Sequence, residues 1–154
     1  MDRELLLIPV ESSSPSFDDV AQCVSSKCLE VGVECIVIPA QPTDSYVPYT
    51  IAVMSALLAF ERGRNVARKL GLEVLVRIYS NRQISQVIDL ARKTFSSTRK
   101  AVIVAITKDR DVNSSELLSR ISECNLKACE SNQALAIPKI DQKVPMIALT
   151  NVEL

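Results

Sequence analysis

The run Lys100–Thr107, KAVIVAIT, constrains the fold more than any other segment of the chain. Every residue between its two ends is apolar, and most are the β-branched types that favour strands. A strand with no polar side chain to turn toward water is buried on both faces. The run therefore predicts a central strand, flanked by other strands and covered by other elements on both sides.

Shorter patterns supply the elements around it. The aliphatic run Glu4–Val10 and the β-branched run Val33–Ala40, which ends near Pro39, predict two further strands. Between them, apolar residues at helical spacing predict a helix that Asp18 caps and that continues to about Val31.

The middle of the chain predicts the longest helix, from about Tyr49 to Leu70, which Gly71 ends. After the glycine, Glu73–Tyr79 reads as a buried strand. Ser80 or Asn81 is expected to cap a second helix whose inner stripe includes Ile84, Val87, Ile88 and Ala91.

Two details of the long helix carry predictions of their own. Gly63 and Ala67 lie one turn apart, which predicts close packing of the helix, most simply against the protein's own sheet. Arg64 projects beside Leu57 and Phe60, so its stem would lie on the apolar face while its guanidinium reaches the rim. Phe60 itself is expected to be a core residue.

A last helix is predicted over Asn113 to about Asn125, with Leu117, Leu118 and Ile121 facing inward. After Ser131 the chain has two short apolar runs, Ala134–Ile137 and Val144–Leu149, with prolines that suit edge strands or irregular segments. The alternation of strands and helices indicates an α/β class, α+β in its broad sense, and does not distinguish parallel from mixed pairing. With 154 residues, the chain is expected to form one domain over residues 1–154.

Charge and composition exclude several classes of function. The chain has 18 basic and 18 acidic residues, so nucleic-acid binding would need a local patch rather than a globally cationic protein. No stretch reaches the length of a membrane span and the N-terminus lacks the pattern of a signal peptide. We expect a cytoplasmic protein with no membrane partner.

Two absences argue against an enzyme. The chain has no histidine, so an imidazole-assisted nucleophile and any His-containing metal site are excluded. It has three glycines and no glycine cluster, so neither a phosphate-binding P-loop nor a dinucleotide fingerprint can be formed. We therefore expect no catalysis, no cofactor and no metal.

Five cysteines are present: Cys23, Cys28, Cys35, Cys124 and Cys129. Two pairs have four residues between them, which on a helix points the side chains apart and does not suit a zinc knuckle. In the reducing cytosol that we expect, they are interpreted as small reduced side chains of the core.

A cluster of basic residues is the candidate binding site: Arg62, Arg64, Arg68, Lys69, Arg77, Arg82, Arg92 and Lys93. From spacing alone, a solvated helix face with pairs such as Glu61 to Arg64 is the commoner explanation, and a phosphate-binding patch is the alternative.

The segment 59–84, AFERGRNVARKLGLEVLVRIYSNRQI, resembles the central signature of the PRPK-binding-protein family, the small accessory subunit of the KEOPS complex. The matching residues are Ala59, Phe60, Arg62, Gly63, Asn65, Ala67, Gly71, Glu73, Arg82, Gln83 and Ile84. The resemblance implies a compact fold with a mixed sheet and one long central helix packed against it.

The resemblance also implies a function. KEOPS makes threonylcarbamoyladenosine on transfer RNA, and the family's subunit binds the complex's kinase-like ATPase subunit and, in archaeal-type complexes, the single-stranded 3′ CCA end of transfer RNA. The RNA-binding residues so implied are Arg64, Asn65, Arg68, Lys69, Arg82 and Gln83. Because the chain has few aromatic residues for base stacking, such binding is expected to be mostly electrostatic.

Other functions stay open from the residues alone. A small enzyme could use a cysteine, or could hold a metal ion through Asp109 and Asp111 in the loop after the best strand. A structural dimerisation domain is a third possibility. The sequence leaves undecided which surface meets a kinase-like subunit, whether transfer RNA is contacted, and the oligomeric state.

Overall fold

The computed structural model describes residues 3–108 and 114–129. The elements in chain order are β1 (Arg3–Ser12), α1 (Phe17–Leu29), β2 (Glu34–Pro39), α2 (Val47–Glu61), α3 (Leu70–Tyr79), α4 (Ile84–Thr98), β3 (Lys100–Lys108), α5 (Ser114–Ser122) and β4 (Leu126–Ala128). The predicted α+β class is confirmed.

The four strands form one sheet in the order β2-β3-β1-β4, with every neighbouring pair antiparallel. The family resemblance implied a mixed sheet; the described strands instead pair antiparallel throughout. As predicted, β3 is a central strand, and its residues 101–107 are all buried. The residues predicted as the first two strands form β1 and β2.

The connections make two interlocked split β-α-β units. β1 and β2 run in the same direction on either side of β3, and α1 joins them. β3 and β4 likewise flank β1, and α5 joins them. This is the ferredoxin-like arrangement, with α2, α3 and α4 placed between β2 and β3.

Helices cover both faces of the sheet. Side chains alternate along each strand, so Leu7, Val104 and Ile36 share one face, which we call the Ile36 face. A Cβ built on Gly71 of α3 would lie 3.9 Å from Ile36 Cγ2, which places α3 on this face. On the opposite face, the thiol of Cys35 interacts with that of Cys28 on α1, which raises the pKa of Cys35.

The structure corrects the prediction for the middle of the chain. The long helix does not run to Leu70: α2 ends at Glu61, and residues 62–69 form a loop. The segment predicted as the strand Glu73–Tyr79 belongs to the helix α3. A short apolar run does not distinguish a buried strand from a buried helix by periodicity, and here the helix forms.

α2 is buried on every side rather than amphipathic. All residues from Ala52 to Ala59 are buried, including Ser55. A helix that is apolar all round belongs in the interior, and α2 packs against α3. Among the described residues, no helix is long and apolar enough to cross a membrane.

Capping also differs from the prediction at two helices. Ser16, not Asp18, is the N-cap of α1, because its hydroxyl accepts from the backbone N–H of Asp19 at 3.3 Å. Asp18 instead pairs with Arg92 of α4 at 2.6 Å. This guanidinium holds the pKa of the Asp18 carboxyl below its usual value. At α4, Gln83 is the N-cap and Asn81 Oδ1 accepts from its backbone N–H at 2.8 Å.

A disulfide joins Cys23 of α1 to Cys124, just after α5, so these two cysteines are not the reduced core side chains that the sequence predicted. Their Cα atoms are 5.7 Å apart, within the range that a disulfide requires. Ion pairs from Lys27 to Glu123 and from Arg120 to Glu30 cross the same helix–helix contact. Inward-facing Leu117 and Ile121 are buried as predicted.

Three sequence predictions lie outside the described residues. They are the loop with Asp109 and Asp111 and the two apolar runs Ala134–Ile137 and Val144–Leu149.

Two glycine substitutions should have opposite effects on stability. Gly63 has φ +67° and no neighbouring atom within 4 Å of a built Cβ, so Gly63→Ala meets backbone strain and no clash. We expect it to lower the free energy of unfolding by about 1 kcal/mol. Gly71 lies inside α3, where its Cβ would make an ordinary contact, so Gly71→Ala should raise that free energy by about 0.5 kcal/mol through helix propensity.

Urea denaturation of the two variants beside the unchanged protein measures both effects. A Gly63→Ala variant with an unchanged midpoint would contradict the assigned backbone conformation. A strongly destabilised Gly71→Ala variant would contradict the space observed beside Ile36.

The disulfide is expected to stabilise the fold because the chain between its cysteines is long, with a separation of 101 residues. Replacing both cysteines, Cys23→Ser with Cys124→Ser, should lower the free energy of unfolding by about 2–5 kcal/mol. A dithiol reductant should lower the midpoint of the unchanged protein and leave that of the double variant where it is. Equal midpoints with and without reductant would mean that the bond does not contribute.

Candidate nucleic-acid interface

The six residues that the resemblance implies for RNA binding fall in two places. Arg64, Asn65, Arg68 and Lys69 lie in the loop 62–69, which we call the junction loop because it joins α2 to α3. Arg82 and Gln83 lie in the turn between α3 and α4. The two places are separated by the length of α3.

The junction loop begins with a Schellman motif. The backbone N–H of Arg64 donates to the carbonyl of Ala59 at 2.8 Å, and that of Gly63 to the carbonyl of Phe60 at 3.3 Å. This pattern requires a left-handed residue just past the helix end, and Gly63 adopts it. Arg64 is therefore exposed in the loop, and the predictions that it lies on the apolar face of a helix, and that Gly63 packs against the sheet, are wrong.

A buried carboxylate holds the middle of the loop. Glu73 is completely buried. Its Oε1 accepts from the backbone N–H groups of Val66 and Ala67 at 2.7 and 2.8 Å. Asn65 adds a local bond, because its Nδ2 donates to the carbonyl of Ala67 at 2.9 Å.

The other oxygen of this carboxylate pairs with a buried arginine. Arg77 donates to Glu73 Oε2 through Nε at 3.0 Å and through Nη2 at 2.9 Å. Its Nη1 donates to the hydroxyl of Ser55 on α2 at 3.3 Å. A buried ion pair of this kind is tolerated only where further hydrogen bonds satisfy both ions, and here they link α2, α3 and the loop.

The basic residues at the α3 end of the junction loop are exposed to solvent. Arg68 and Lys69 are exposed and form no ion pair within residues 3–108 and 114–129. Lys69 is the N-cap of α3, and no side chain caps that helix end. Free backbone N–H groups and the helix dipole favour anions at such a terminus, so the two cations and α3 together suit a phosphate.

The second place resembles the first in chemistry but stands apart from it. Arg82 and Gln83 are exposed, and Gln83 is the N-cap of α4 with no side-chain capping bond. α3 has ten residues, so its ends are about 15 Å apart at 1.5 Å per residue. The structure therefore does not bring all six residues into one pocket.

The cysteine-based alternative finds little support. The interaction between the thiols of Cys28 and Cys35, together with burial, raises the pKa of Cys35, and the same interaction lowers the pKa of Cys28. Both thiols are buried, so neither is accessible to a substrate. Burial also raises the pKa of Cys129. A reactive cysteine requires a lowered pKa and access. Within the described part of the chain, no group of three or more potential ligands could hold a metal ion.

Sequence reasoning missed the buried network that supports the loop. The sequence pattern does not single out Ser55, and it groups Arg77 with the basic residues of the candidate surface patch. A signal was available: Glu73 and Arg77 are four residues apart within an otherwise apolar run. On a helix this spacing brings two side chains close enough to form an ion pair, whereas on a strand it separates them by about 13 Å.

No protein-family profile matches the chain, and no curated protein matches it significantly.

Glu73→Gln should loosen the junction loop. The glutamine amide would have to turn its NH₂ toward the two backbone donors or toward Arg77, and the guanidinium would lose its counter-charge. We expect a loss of about 3 kcal/mol in the free energy of unfolding and faster hydrogen exchange at the amides of Val66 and Ala67.

Glu61→Gln is the matched control because Glu61 is exposed and forms no ion pair among the described residues. It should change stability by less than about 0.5 kcal/mol. If the amides of Val66 and Ala67 already exchange at the rate of open loops in the unchanged protein, Glu73 does not hold the loop.

Proposed function

We propose that the protein is a non-catalytic accessory subunit of the KEOPS complex. In this role it binds the complex's kinase-like ATPase subunit and helps to recruit the 3′ CCA end of transfer RNA for threonylcarbamoyladenosine formation. One observation carries the RNA-binding part: a basic loop, exposed on its cationic side, is held from beneath by a buried carboxylate.

The rigidity of the loop favours binding. Ordering a flexible loop on binding would cost conformational entropy. The bonds from Val66 and Ala67 to Glu73 order the backbone in advance, so Arg68 and Lys69 are presented at fixed positions at the start of α3. A surface of this kind matches the phosphates of a single strand without reading a base sequence.

Arg82 and Gln83 supply a second contact for a longer strand. Because about 15 Å separates the ends of α3, one phosphate cannot touch both places. We infer that the junction loop is the main contact and that the turn before α4 engages neighbouring nucleotides. Arginine suits phosphates and stacked bases, and the amide of Gln83 suits base edges.

The kinase-binding part rests on the resemblance of residues 59–84 to the family signature. Within that segment, Glu73 and Gly63 have structural tasks in building the junction loop. A signature that preserves these residues would preserve the shape of the loop.

Arg68→Ala combined with Lys69→Ala should weaken binding of transfer RNA and make it less sensitive to salt. Each lost phosphate contact lowers the slope of log affinity against log salt by about 0.7 for a single strand, so the pair should lower it by about 1.4. Lys27→Ala combined with Lys127→Ala removes the same charge from α1 and β4 and should leave the slope unchanged. Equal slopes for the two double variants would reject a local site.

Transfer RNA without its CCA end tests the substrate. Weaker binding of the trimmed RNA is expected, and equal affinity for trimmed and intact RNA would reject tail recognition. Co-purification from the protein's own cells tests the other half of the proposal. If no kinase-like subunit is retained, the kinase-binding role is rejected whatever the RNA result.

A further inference from the structure

A second surface lies next to the junction loop and carries the opposite charge. It is a cleft of about 430 Å³ where the end of α2 and the start of α3 meet the first residue of β2. Its lining residues are Glu34, Leu57, Phe60, Glu61 and Leu70.

The floor of the cleft is apolar and includes an aromatic ring. Leu57 and Leu70 contribute aliphatic surface. Phe60 is half-buried, whereas Phe17 and Phe95 are buried in the core. Phe60 is therefore not the core residue that the sequence predicted: part of its ring is accessible from the cleft.

The rim of the cleft is acidic. Glu34 begins β2 and Glu61 ends α2, so the fold brings together carboxylates that are distant in sequence. Both are exposed, and neither forms an ion pair within the described parts of the chain. The ion pair from Glu61 to Arg64 that the sequence suggested therefore does not form.

The cleft is built on fixed backbone. The Schellman motif fixes the end of α2, where Phe60 and Glu61 stand, through the bond from Gly63 N–H to the carbonyl of Phe60. Leu70 begins α3, the helix that the Glu73 network ties to α2. Such support keeps a binding site in shape before the ligand arrives.

We propose that this cleft binds an arginine side chain presented by a protein partner. The aliphatic stem would lie on Leu57 and Leu70, and the planar guanidinium would stack on Phe60 while it donates hydrogen bonds to Glu34 and Glu61. A guanidinium is the cationic group that combines stacking on aromatic rings with paired donors for carboxylates.

The acidic rim of the cleft excludes RNA, the proposed ligand of the neighbouring junction loop. Two carboxylates at the rim repel phosphates, so RNA bound at Arg68 and Lys69 would not enter. The cleft is also open to solvent, so a small free cation would stay largely hydrated there. When the cation is a side chain of a protein partner, the partner's surface around it covers the cleft and excludes that water.

This inference does not depend on the proposed function, and its test uses neither RNA nor a KEOPS subunit. The probe is the blocked peptide acetyl-Gly-Arg-Gly-amide, titrated into the isotope-labelled full chain and followed by the amide signals of Phe60, Glu61 and Leu70. We expect saturable shifts with a Kd on the order of 1 mM, the affinity of a small ligand with few contacts.

Matched peptides and variants identify the chemistry. The same peptide with citrulline keeps the shape of arginine without its charge and should bind at least about fivefold more weakly. Glu34→Gln with Glu61→Gln should cause a similar loss. Asp19→Asn with Asp44→Asn removes the same charge from exposed positions outside the cleft and should have no effect.

Phe60→Leu keeps an apolar floor but removes the ring. It should weaken the arginine peptide more than a lysine peptide, and it tests the cleft even if the double glutamine variant fails to fold. Equal binding of the citrulline peptide, or shifts that persist in Glu34→Gln with Glu61→Gln, would overturn the proposal. So would shifts at Asp19 and Asp44 as large as those at Phe60, because they would indicate general attraction to acidic surface.

Discussion

The buried carboxylate of Glu73 determines how the chain passes from α2 to α3. One oxygen accepts two backbone N–H groups of the junction loop, and the other accepts the Arg77 guanidinium. Removing one partner from such a pair leaves an uncompensated charge in the interior, at a cost of about 3–5 kcal/mol. The loop is therefore part of the folded core at its inner side, although its outer side is exposed and cationic.

This support explains why two surfaces of opposite sign lie side by side. The Schellman turn at Gly63 ends α2 with Phe60 and Glu61 at the cleft. The Glu73 network then places Arg68 and Lys69 at the start of α3. A chain with no net charge can bind charged partners only through such local separation of sign.

The sequence predicted the framework because its strands and outer helices have patterns that suit one structure. Residues 101–106 are all apolar and form a strand that is buried on both faces. The secondary-structure prediction for residues 49–79 was wrong for an identifiable reason. Val74, Val76 and Ile78 are β-branched and favour a strand, and Gly71 suggested the end of a helix. The segment instead forms α3, which includes Gly71 and is stabilised by the buried ion pair Glu73–Arg77. Tertiary burial outweighed local propensity.

The sequence pattern could not predict the disulfide or the positions of the basic residues in space. Cys23 and Cys124 are 101 residues apart, and connectivity cannot be read from spacing at that separation. The basic residues themselves were identified correctly as a cluster in sequence, but a cluster in sequence is not a cluster in space. Arg77 is buried and forms an ion pair with Glu73, and Arg92 forms one with Asp18. Arg82 and Lys69 lie at opposite ends of α3. A short basic loop of fixed conformation remains exposed beside α3. That conformation depends on the carboxylate of Glu73, which is completely buried.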